Sequence, residues 1–259
     1  MPTAIITGAN AGIGKATAVA FAARGYDVGL TWHSDQQGLD DTIEECRGHG
    51  VTAQAVHMDL DTEDPHELPE RVAVLDELID RLGGVDVFVN NAGAGHDDPV
   101  LELDLPRFLR VLNLDLVGAF LCMQKAARRM ADQGRGGRVI AVTSVHEHVP
   151  LEGSTAYVTA KHGLGGVVKS MALELAGRGI TVNAVAPGEI ATKMTGQEDE
   201  DPAGTERAGV PAGRPGRASE IASAITWLAE PEARYANGQS FVIDGGMLLM
   251  SAMANQLAS

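Results

Sequence analysis

Tyr157, Lys161 and Ser144 are the residues whose types and spacing point most directly to chemistry. Tyr157 and Lys161 lie four positions apart in a segment with helical periodicity, so their side chains share one face of the expected helix. A phenol in water has a pKa of about 10, and a nearby ammonium group lowers it by stabilising the phenolate. The pair therefore predicts a general acid–base that exchanges a proton with a carbonyl or alcohol oxygen, while Ser144 hydrogen-bonds the same oxygen.

A glycine-rich segment predicts a dinucleotide site. Residues 7–14 read TGANAGIG, between an expected strand and an expected helix. Gly8 allows a tight turn, Gly12 lets the backbone approach phosphate oxygens, and Gly14 lets the helix pack closely on the strand. Free N–H groups at the helix N-terminus then attract a pyrophosphate. The glycines alone leave open a methyl-donor-binding α/β domain, which has a similar loop.

The order of apolar segments predicts how these residues are positioned. Short β-branched runs alternate with longer amphipathic segments, which is typical of parallel strands joined by helices. We expect a Rossmann-like, doubly wound, parallel seven-stranded sheet with helices on both faces, in one domain over 1–259. Strands are expected over 3–7, 27–31, 52–57, 85–89, 138–143, 181–186 and 240–243, and helices over 13–24, 36–48, 67–82, 107–132, 156–176 and 218–228. The motifs follow strands, at the edge where such sheets bind ligands.

The composition limits the class of protein. The 259 residues are 44% hydrophobic and 21% charged, as in globular proteins, and no apolar run is long enough for a membrane helix. We expect a soluble cytoplasmic protein, because residues 1–7 lack a secretory leader pattern and Cys46 and Cys122 are too few for a disulfide scaffold. The net charge of −15 disfavours nucleic acid and anionic membranes as partners.

Six motifs, in this order, resemble those of the short-chain dehydrogenase/reductase family. They are the TGxxxGxG loop at 7–14, Asp59 after the third strand, Asn90-Asn91-Ala92-Gly93 after the fourth, Asn113 in an apolar helix, Ser144 with the YxxxK segment 157–161, and Pro187-Gly188-Glu189-Ile190-Ala191-Thr192. The resemblance extends over residues 3–246. The segments TWHSD at 31–35 and SVHEH at 144–148 are similar to bacterial members of the family.

The resemblance implies a nicotinamide cofactor and hydride transfer to or from a small carbonyl or secondary alcohol substrate. It implies that Ser144, Tyr157, Lys161 and Asn113 are catalytic, with Lys161 also on the nicotinamide ribose and Asn113 holding a water in a proton relay. The residues implied to contact the cofactor are Gly8, Asn10, Gly12, Ile13, Gly14, His33, Ser34, Asp59, Leu60, Asn90, Ala92, Gly93, Tyr157, Lys161, Pro187, Gly188, Ile190 and Thr192. The family mechanism needs no catalytic metal, and its dimer-forming helices and C-terminal contact imply a homotetramer.

Residues 31–35 bear on the choice between NAD and NADP. A carboxylate at the end of the second strand would bind a free ribose diol and repel a 2′-phosphate, but Trp32 occupies that position. His33 and Ser34 offer hydrogen bonds to a phosphate. Ala11 stands where many NADPH users have Arg, and Asp35 would repel a phosphate. We expect NADP(H), with NAD(H) as the alternative.

The substrate is expected to contact Ser144, His146, Tyr157 and Glu189, beneath a substrate loop at about 188–216. His96 and His148 belong to the same end or are ordinary loop residues. Three functions remain open: a carbonyl reductase or alcohol dehydrogenase, a 3-oxoacyl-type reductase of carrier-linked chains, and an inactive dinucleotide-binding regulator. The intact Ser, Tyr and Lys favour the first, and the acidic composition disfavours binding of an acidic carrier.

Overall fold

Seven parallel strands form one sheet in the computed structural model, which describes residues 1–95, 98–197 and 201–250. The strands are β1 (Thr3–Ile6), β2 (Asp27–Trp32), β3 (Ala53–His57), β4 (Val87–Asn90), β5 (Gly137–Val142), β6 (Ile180–Pro187) and β7 (Ser240–Ile243). Their order is β3-β2-β1-β4-β5-β6-β7, and every neighbouring pair is parallel. The predicted doubly wound sheet is confirmed, and its strand order reverses between β1 and β4.

Helices cover both faces of this sheet. The α-helices are α1 (Gly12–Ala22), α2 (Gln36–Arg47), α3 (Leu68–Arg71), α4 (Val74–Leu82), α5 (Leu105–Leu112), α6 (Ala119–Gln133), α7 (Thr155–Leu175) and α8 (Ala218–Ala229). A π-helical segment, Asn113–Gly118, joins α5 to α6 within the single helix expected over 107–132. Within the described residues, no helix is both long and apolar enough to span a bilayer.

Two hydrophobic clusters lie against the two faces of the sheet. Successive residues of β1 point to opposite faces, so Ile5 packs in one cluster and Ile6 in the other. Phe88 and Val89 divide in the same way on β4. Because both faces are covered, these strands are continuously apolar. The two clusters fix the strands and thereby place the loops that follow them along one edge.

Side chains that bind strand backbones explain two differences from the predicted strand bounds. Val85 does not belong to β4, because its N–H and carbonyl each form a 2.8 Å hydrogen bond with the amide of Gln133. Thr52 precedes β3, and its N–H donates to the carboxylate of Asp27 at 2.6 Å. At Val85 a side chain of α6 takes both backbone hydrogen bonds. At Thr52 the Asp27 carboxylate takes the N–H, while the carbonyl still accepts from the N–H of Val28 in β2.

Thr7 ties the glycine loop to the loop after β4. Its fully buried Oγ1 accepts hydrogen bonds from the N–H groups of Asn91 and Ala92, both at 2.9 Å. In return, the Asn91 amide donates to the carbonyls of Thr7 and Gly8 at 3.0 and 3.1 Å. The two loops are therefore held as one unit.

Replacing Thr7 with Val keeps the shape of the side chain but removes the acceptor of two N–H groups. We expect the free energy of unfolding to fall by about 2–4 kcal/mol, since an unsatisfied buried donor costs about 1–3 kcal/mol. Urea denaturation measures this loss. Thr17→Val is the matched control, because Thr17 is also buried and its Oγ1 has no hydrogen-bond partner among the described residues. Equal losses in the two variants would contradict the proposed role of Thr7.

Candidate active site

A cleft of about 360 Å³ opens at the carboxyl edge of the sheet, where β1 and β4 diverge. Its walls are the glycine loop, the residues that follow β2 and β3, the loop after β4, and Thr192 and Lys193 after β6. Concave sites of this size bind small molecules, and a reversal of strand order is where doubly wound sheets bind their ligands. A cleft therefore lies where the sequence predicts the ligand site.

Most of the residues predicted to bind a cofactor line this cleft. They are Gly8, Asn10, Gly12, Ile13, His33, Ser34, Asp59, Leu60, Ala92, Gly93 and Thr192. Asn90 and Pro187 instead end β4 and β6, and Gly14 lies within α1. Gly188 packs against Asp244, and Ile190 is buried in the core. Lys193 and Asp61 also line the cleft, although neither belongs to a motif recognised in the sequence.

The glycine loop fits a pyrophosphate. Gly8 and Gly12 have φ values of +64° and +54°, which favour glycine. A Cβ on Gly14 would lie 2.1 Å from the carbonyl oxygen of Gly8, so α1 packs directly on the loop. The N-cap residue of α1 is Ala11, which has no side-chain acceptor for the first N–H groups of the helix. This cradle therefore leaves backbone donors for an anionic ligand.

Tyr157 and Lys161 lie together on α7, as their spacing predicts. The Nζ of Lys161 is 5.3 Å from the centre of the Tyr157 ring. Ser144 follows β5, and its Oγ accepts a 3.1 Å hydrogen bond from the N–H of His146. The His146 ring packs edge-on to Tyr157, with ring centres 6.3 Å apart. The turn that begins at Ser144 is thus brought against the phenol.

A buried carboxylate accompanies this group. Asp115 Oδ2 lies 3.0 Å from the Nζ of Lys161, and Asp115 Oδ1 accepts a 2.9 Å hydrogen bond from the N–H of Ala94. Asp115 is fully buried and Lys161 is only 4% exposed. Burial lowers the pKa of Lys161, but Asp115 and Tyr157 raise it, and the net shift is upward. The ammonium form is therefore maintained in a site that excludes water.

Asn113 lies at the start of the π-helical segment, and its expected role in a water relay stays a prediction. Its side-chain amide is buried and donates to the carbonyl of Thr62 at 2.9 Å, which holds the loop after β3. Two positions along a helix rotate a side chain by roughly half a turn, so Asn113 and Asp115 face opposite ways. The side chain in contact with Lys161 is that of Asp115, which no sequence motif singled out. The available signal was a carboxylate between Leu114 and Leu116 in an apolar helix.

The three residues His146, Glu147 and His148 contact two different parts of the structure. His146 Nδ1 is 3.2 Å from the carbonyl of Val149, beside Tyr157. Glu147 is buried and accepts hydrogen bonds from Thr143 at 2.8 Å and Ser240 at 2.9 Å. His148 Nε2 lies 3.2 Å from the same Ser240 hydroxyl. Of these three residues, His146 alone faces the predicted catalytic phenol, and His96 lies outside the described residues.

Glu189 is held by its own loop. Its carboxylate accepts hydrogen bonds from Arg207 at 2.6 Å and Gln197 at 2.7 Å. Burial raises the pKa of Glu189, but these two hydrogen bonds lower it, and the net shift is downward. Backbone bonds between Glu189 and Gly216 close the base of the loop. Residues 198–200 within the predicted substrate loop lie outside the described residues.

The residues at the adenosine end of the cleft form ion pairs. His33 Nε2 is 3.3 Å from Asp59, whose other oxygen lies 3.0 Å from Arg71. Lys193 reaches from the loop after β6 to Asp35, with Nζ and carboxylate oxygen 3.7 Å apart. His33 and Lys193 are both well exposed. Arg71 and Lys193 are therefore the cations paired with carboxylates here, and the His33 ring lies beside the carboxylate of Asp59.

Comparisons with known proteins agree with this site. A family model described as enoyl-(acyl carrier protein) reductase matches residues 8–248. The Escherichia coli K12 protein named uncharacterized oxidoreductase YohF is 48% identical over 97% of this chain and 98% of its own length. A 3-oxoacyl-[acyl-carrier-protein] reductase from Synechocystis is 38% identical over 95% of this chain and 96% of its own.

A solved structure is similar over nearly the whole chain. The crystal structure of acetoin dehydrogenase from Enterobacter cloacae has 48% identity and a TM-score of 0.89, and the match covers 96% of each chain. The sheet order, the Tyr157–Lys161 pair on α7 and these relatives agree with the family resemblance. The chain belongs to the short-chain dehydrogenase/reductase family and is an NAD(P)-dependent oxidoreductase of carbonyl and alcohol groups.

Proposed function

We propose that this protein acts on small vicinal hydroxyketones of the acetoin type, reducing their carbonyl group and oxidising the corresponding diols. The observation that carries this proposal is the placement of His146 beside Tyr157, together with 48% identity to a protein named acetoin dehydrogenase. A carbonyl oxygen only accepts, so the bond to Val149 requires the proton on Nδ1 of His146. The other ring nitrogen, Nε2, then has a lone pair and can accept a hydrogen bond from a hydroxyl group on the carbon next to the reacting one.

The residues around Tyr157 have distinct roles in this reaction. The bound nicotinamide cofactor supplies or accepts the hydride. In reduction, the Tyr157 hydroxyl donates its proton to the carbonyl oxygen, and in oxidation its phenolate removes the alcohol proton. Lys161 stabilises the phenolate by its positive charge, and Ser144 hydrogen-bonds the reacting oxygen. We also propose that the other residues named in the sequence analysis contact the cofactor and the substrate as expected there.

NADP(H) is the preferred cofactor in this proposal. Trp32, and no carboxylate, ends β2 at the cleft, which removes the group that usually selects a free ribose diol. His33 and Ser34 lie exposed on the same wall, and Lys193 faces them across the cleft. Asp35 and Asp59 partly offset these donors, so use of NAD(H) at a lower rate is expected.

A cytoplasmic homotetramer is also part of the proposal. Large apolar side chains are exposed on three elements: Leu173 on α7, Trp227 on α8 and Val242 on β7. Such surfaces fit closed, symmetric contacts between copies. Burial raises the pKa of Cys46 to about 11 and that of Cys122 to about 12, so both thiols are unreactive. This chemistry suits a reducing compartment.

A 3-oxoacyl reductase of carrier-linked chains is the second candidate. The 38% identical Synechocystis relative with that name favours it. An acidic carrier needs free basic residues near the entrance. This chain has a net charge of −15, and Arg107, which precedes the site on α5, pairs with Asp98 at 3.0 Å. Small substrates therefore remain the first candidate.

A substrate panel with both cofactors tests the proposal. We expect kcat/KM for reduction of acetoin to exceed that for butanone, which lacks the hydroxyl donor, by about tenfold or more, because an unpaired polar group in the site costs binding energy. NADPH should give higher initial rates than NADH. Fastest turnover of a 3-oxoacyl thioester would support the second candidate instead, and no turnover of any carbonyl would refute both.

Tyr157→Phe tests the acid–base role. Turnover should fall at least about a hundredfold, the usual scale for loss of a general acid, while the Kd for the nucleotide changes little. Steady-state kinetics and nucleotide titration measure the two quantities. Tyr26→Phe is the matched control, because Tyr26 packs against Phe21 in α1 at a ring distance of 5.1 Å, and its turnover should be unchanged. Near-normal turnover of Tyr157→Phe would remove the proposed role.

Gly14→Ala tests the dinucleotide cradle. The new Cβ would lie 2.1 Å from the Gly8 carbonyl and 2.6 Å from the Asn91 amide, so the loop must move. We expect the Kd for NADPH to rise at least about tenfold, since misplaced backbone donors lose their bonds to phosphate. Gly166→Ala places the same methyl group on α7 with no heavy atom within 4 Å and should leave Kd unchanged. Unaltered binding by Gly14→Ala would argue against this cradle.

A further inference from the structure

Asp115 is the carboxylate in direct contact with Lys161, and no step above uses it. Its Oδ2 lies 3.0 Å from the ammonium nitrogen, and in the described part of the chain no other group donates a hydrogen bond to that oxygen. The Ala94 N–H binds Oδ1 at 2.9 Å, so the carboxylate is fixed at both ends. Full burial of Asp115 leaves this pair little screened by water.

We propose that Asp115 is a positioning residue that sets the pH range of the reaction, by fixing Lys161 and by adding a negative charge beside the Tyr157–Lys161 pair. The inference rests on the proposed function, because it concerns the same proton transfer. It adds a carboxylate to the residues that the family resemblance implies around Lys161.

Close helix packing produces this contact. The π-helical segment Asn113–Gly118 turns Asp115 toward α7, while Asn113 faces the loop after β3. A Cβ on Gly163 of α7 would lie 2.9 Å from the Leu116 side chain, so this glycine permits the close approach. A Cβ on Gly93 would lie 3.2 Å from both oxygens of Asp115. The carboxylate is therefore enclosed by two helices and the loop after β4.

The sign of the electrostatic effect follows from charge alone. A nearby negative charge makes every acidic proton harder to remove, whichever group carries it. Among the described residues, the titratable groups that meet here are Asp115 from the π-helical segment, Lys161 and Tyr157 from α7, and His146 from the turn after β5. The described part of the loop after β4 meets Asp115 through the backbone of Gly93 and Ala94. Burial lowers the pKa of Lys161, but the charge of Asp115 raises it, so removal of that charge favours loss of the proton at lower pH.

Stability is a poor explanation for keeping this carboxylate. A buried ion pair recovers in attraction roughly what its desolvation costs, so apolar residues of similar volume often stabilise as well. An uncharged acceptor such as an amide would also satisfy the Ala94 N–H. What the carboxylate adds is the charge itself, next to the group whose charge governs the phenol.

Asp115→Asn is the decisive variant, because it keeps the shape and the acceptor for Ala94, while the uncharged NH2 group that replaces Oδ2 can no longer accept a hydrogen bond from Lys161. Both limbs of the pH profile of kcat/KM for alcohol oxidation should move toward acid by about one pH unit. A purely structural role predicts lower rates at every pH with unmoved limbs, and that result would overturn the inference. Asp115→Ser, smaller and also uncharged, should shift the limbs in the same direction if Asp115→Asn fails to fold.

Asp76→Asn is the matched control. Asp76 pairs with Lys125 between α4 and α6, away from the cleft, so its loss also breaks a lysine–carboxylate contact. The two limbs of the pH profile of Asp76→Asn should coincide with those of the wild type. A shift of equal size in this control would show a general charge effect and overturn the specific role of Asp115.

A titration without substrate or cofactor separates this inference from the proposed function. The chain has three tyrosines, and the ultraviolet difference between wild type and Tyr157→Phe isolates the ionisation of Tyr157. In the Asp115→Asn background, the midpoint of this difference should move toward acid by about one pH unit. An unmoved midpoint refutes the inference even in an active enzyme. If the midpoint moves but the protein reduces no carbonyl compound, the inference about Asp115 is supported and the proposed function is refuted.

Discussion

The whole site depends on the hydrogen bonds that join Thr7, at the start of the glycine loop, to the loop after β4. Parallel strands deliver all their carboxyl ends to one edge, but β1 and β4 lead their helices to opposite faces and so leave a gap between them. The two bonds to Thr7 Oγ1 and the two from Asn91 join the loops across this gap. The glycine cradle and the wall next to Lys161 are consequently parts of one rigid unit.

Electrostatics divides the site into two parts. At the adenosine end, His33 and Lys193 are exposed and pair with carboxylates in contact with water, where each pair contributes little energy. At the catalytic end, Lys161 and Asp115 are buried, and each charge acts strongly on its neighbours. A ligand can displace the first set of pairs easily. The second set stays buried beside the ring of Tyr157.

The loop after β6 connects these two ends. Thr192 packs against the glycine loop, and a Cβ on Gly12 would lie 3.2 Å from its methyl group. A few positions earlier, Glu189 is tied to Arg207 within the predicted substrate loop. Contacts made by one segment thus reach both the nucleotide cleft and the substrate side. This coupling is consistent with a loop that orders around both ligands.

The sequence by itself determined the sheet, the glycine loop, and the pairing of Tyr157 with Lys161. These features are local: apolar periodicity defines the strands and helices, and a spacing of four places two side chains on one helical face. The sequence did not determine the long-range contacts. Only the tertiary structure decided that Asp115 contacts Lys161, that Glu147 accepts a hydrogen bond from Ser240, and that the Gln133 amide binds the backbone of Val85. In each case the outcome depends on how closely two distant elements pack, and the local sequence does not encode that distance.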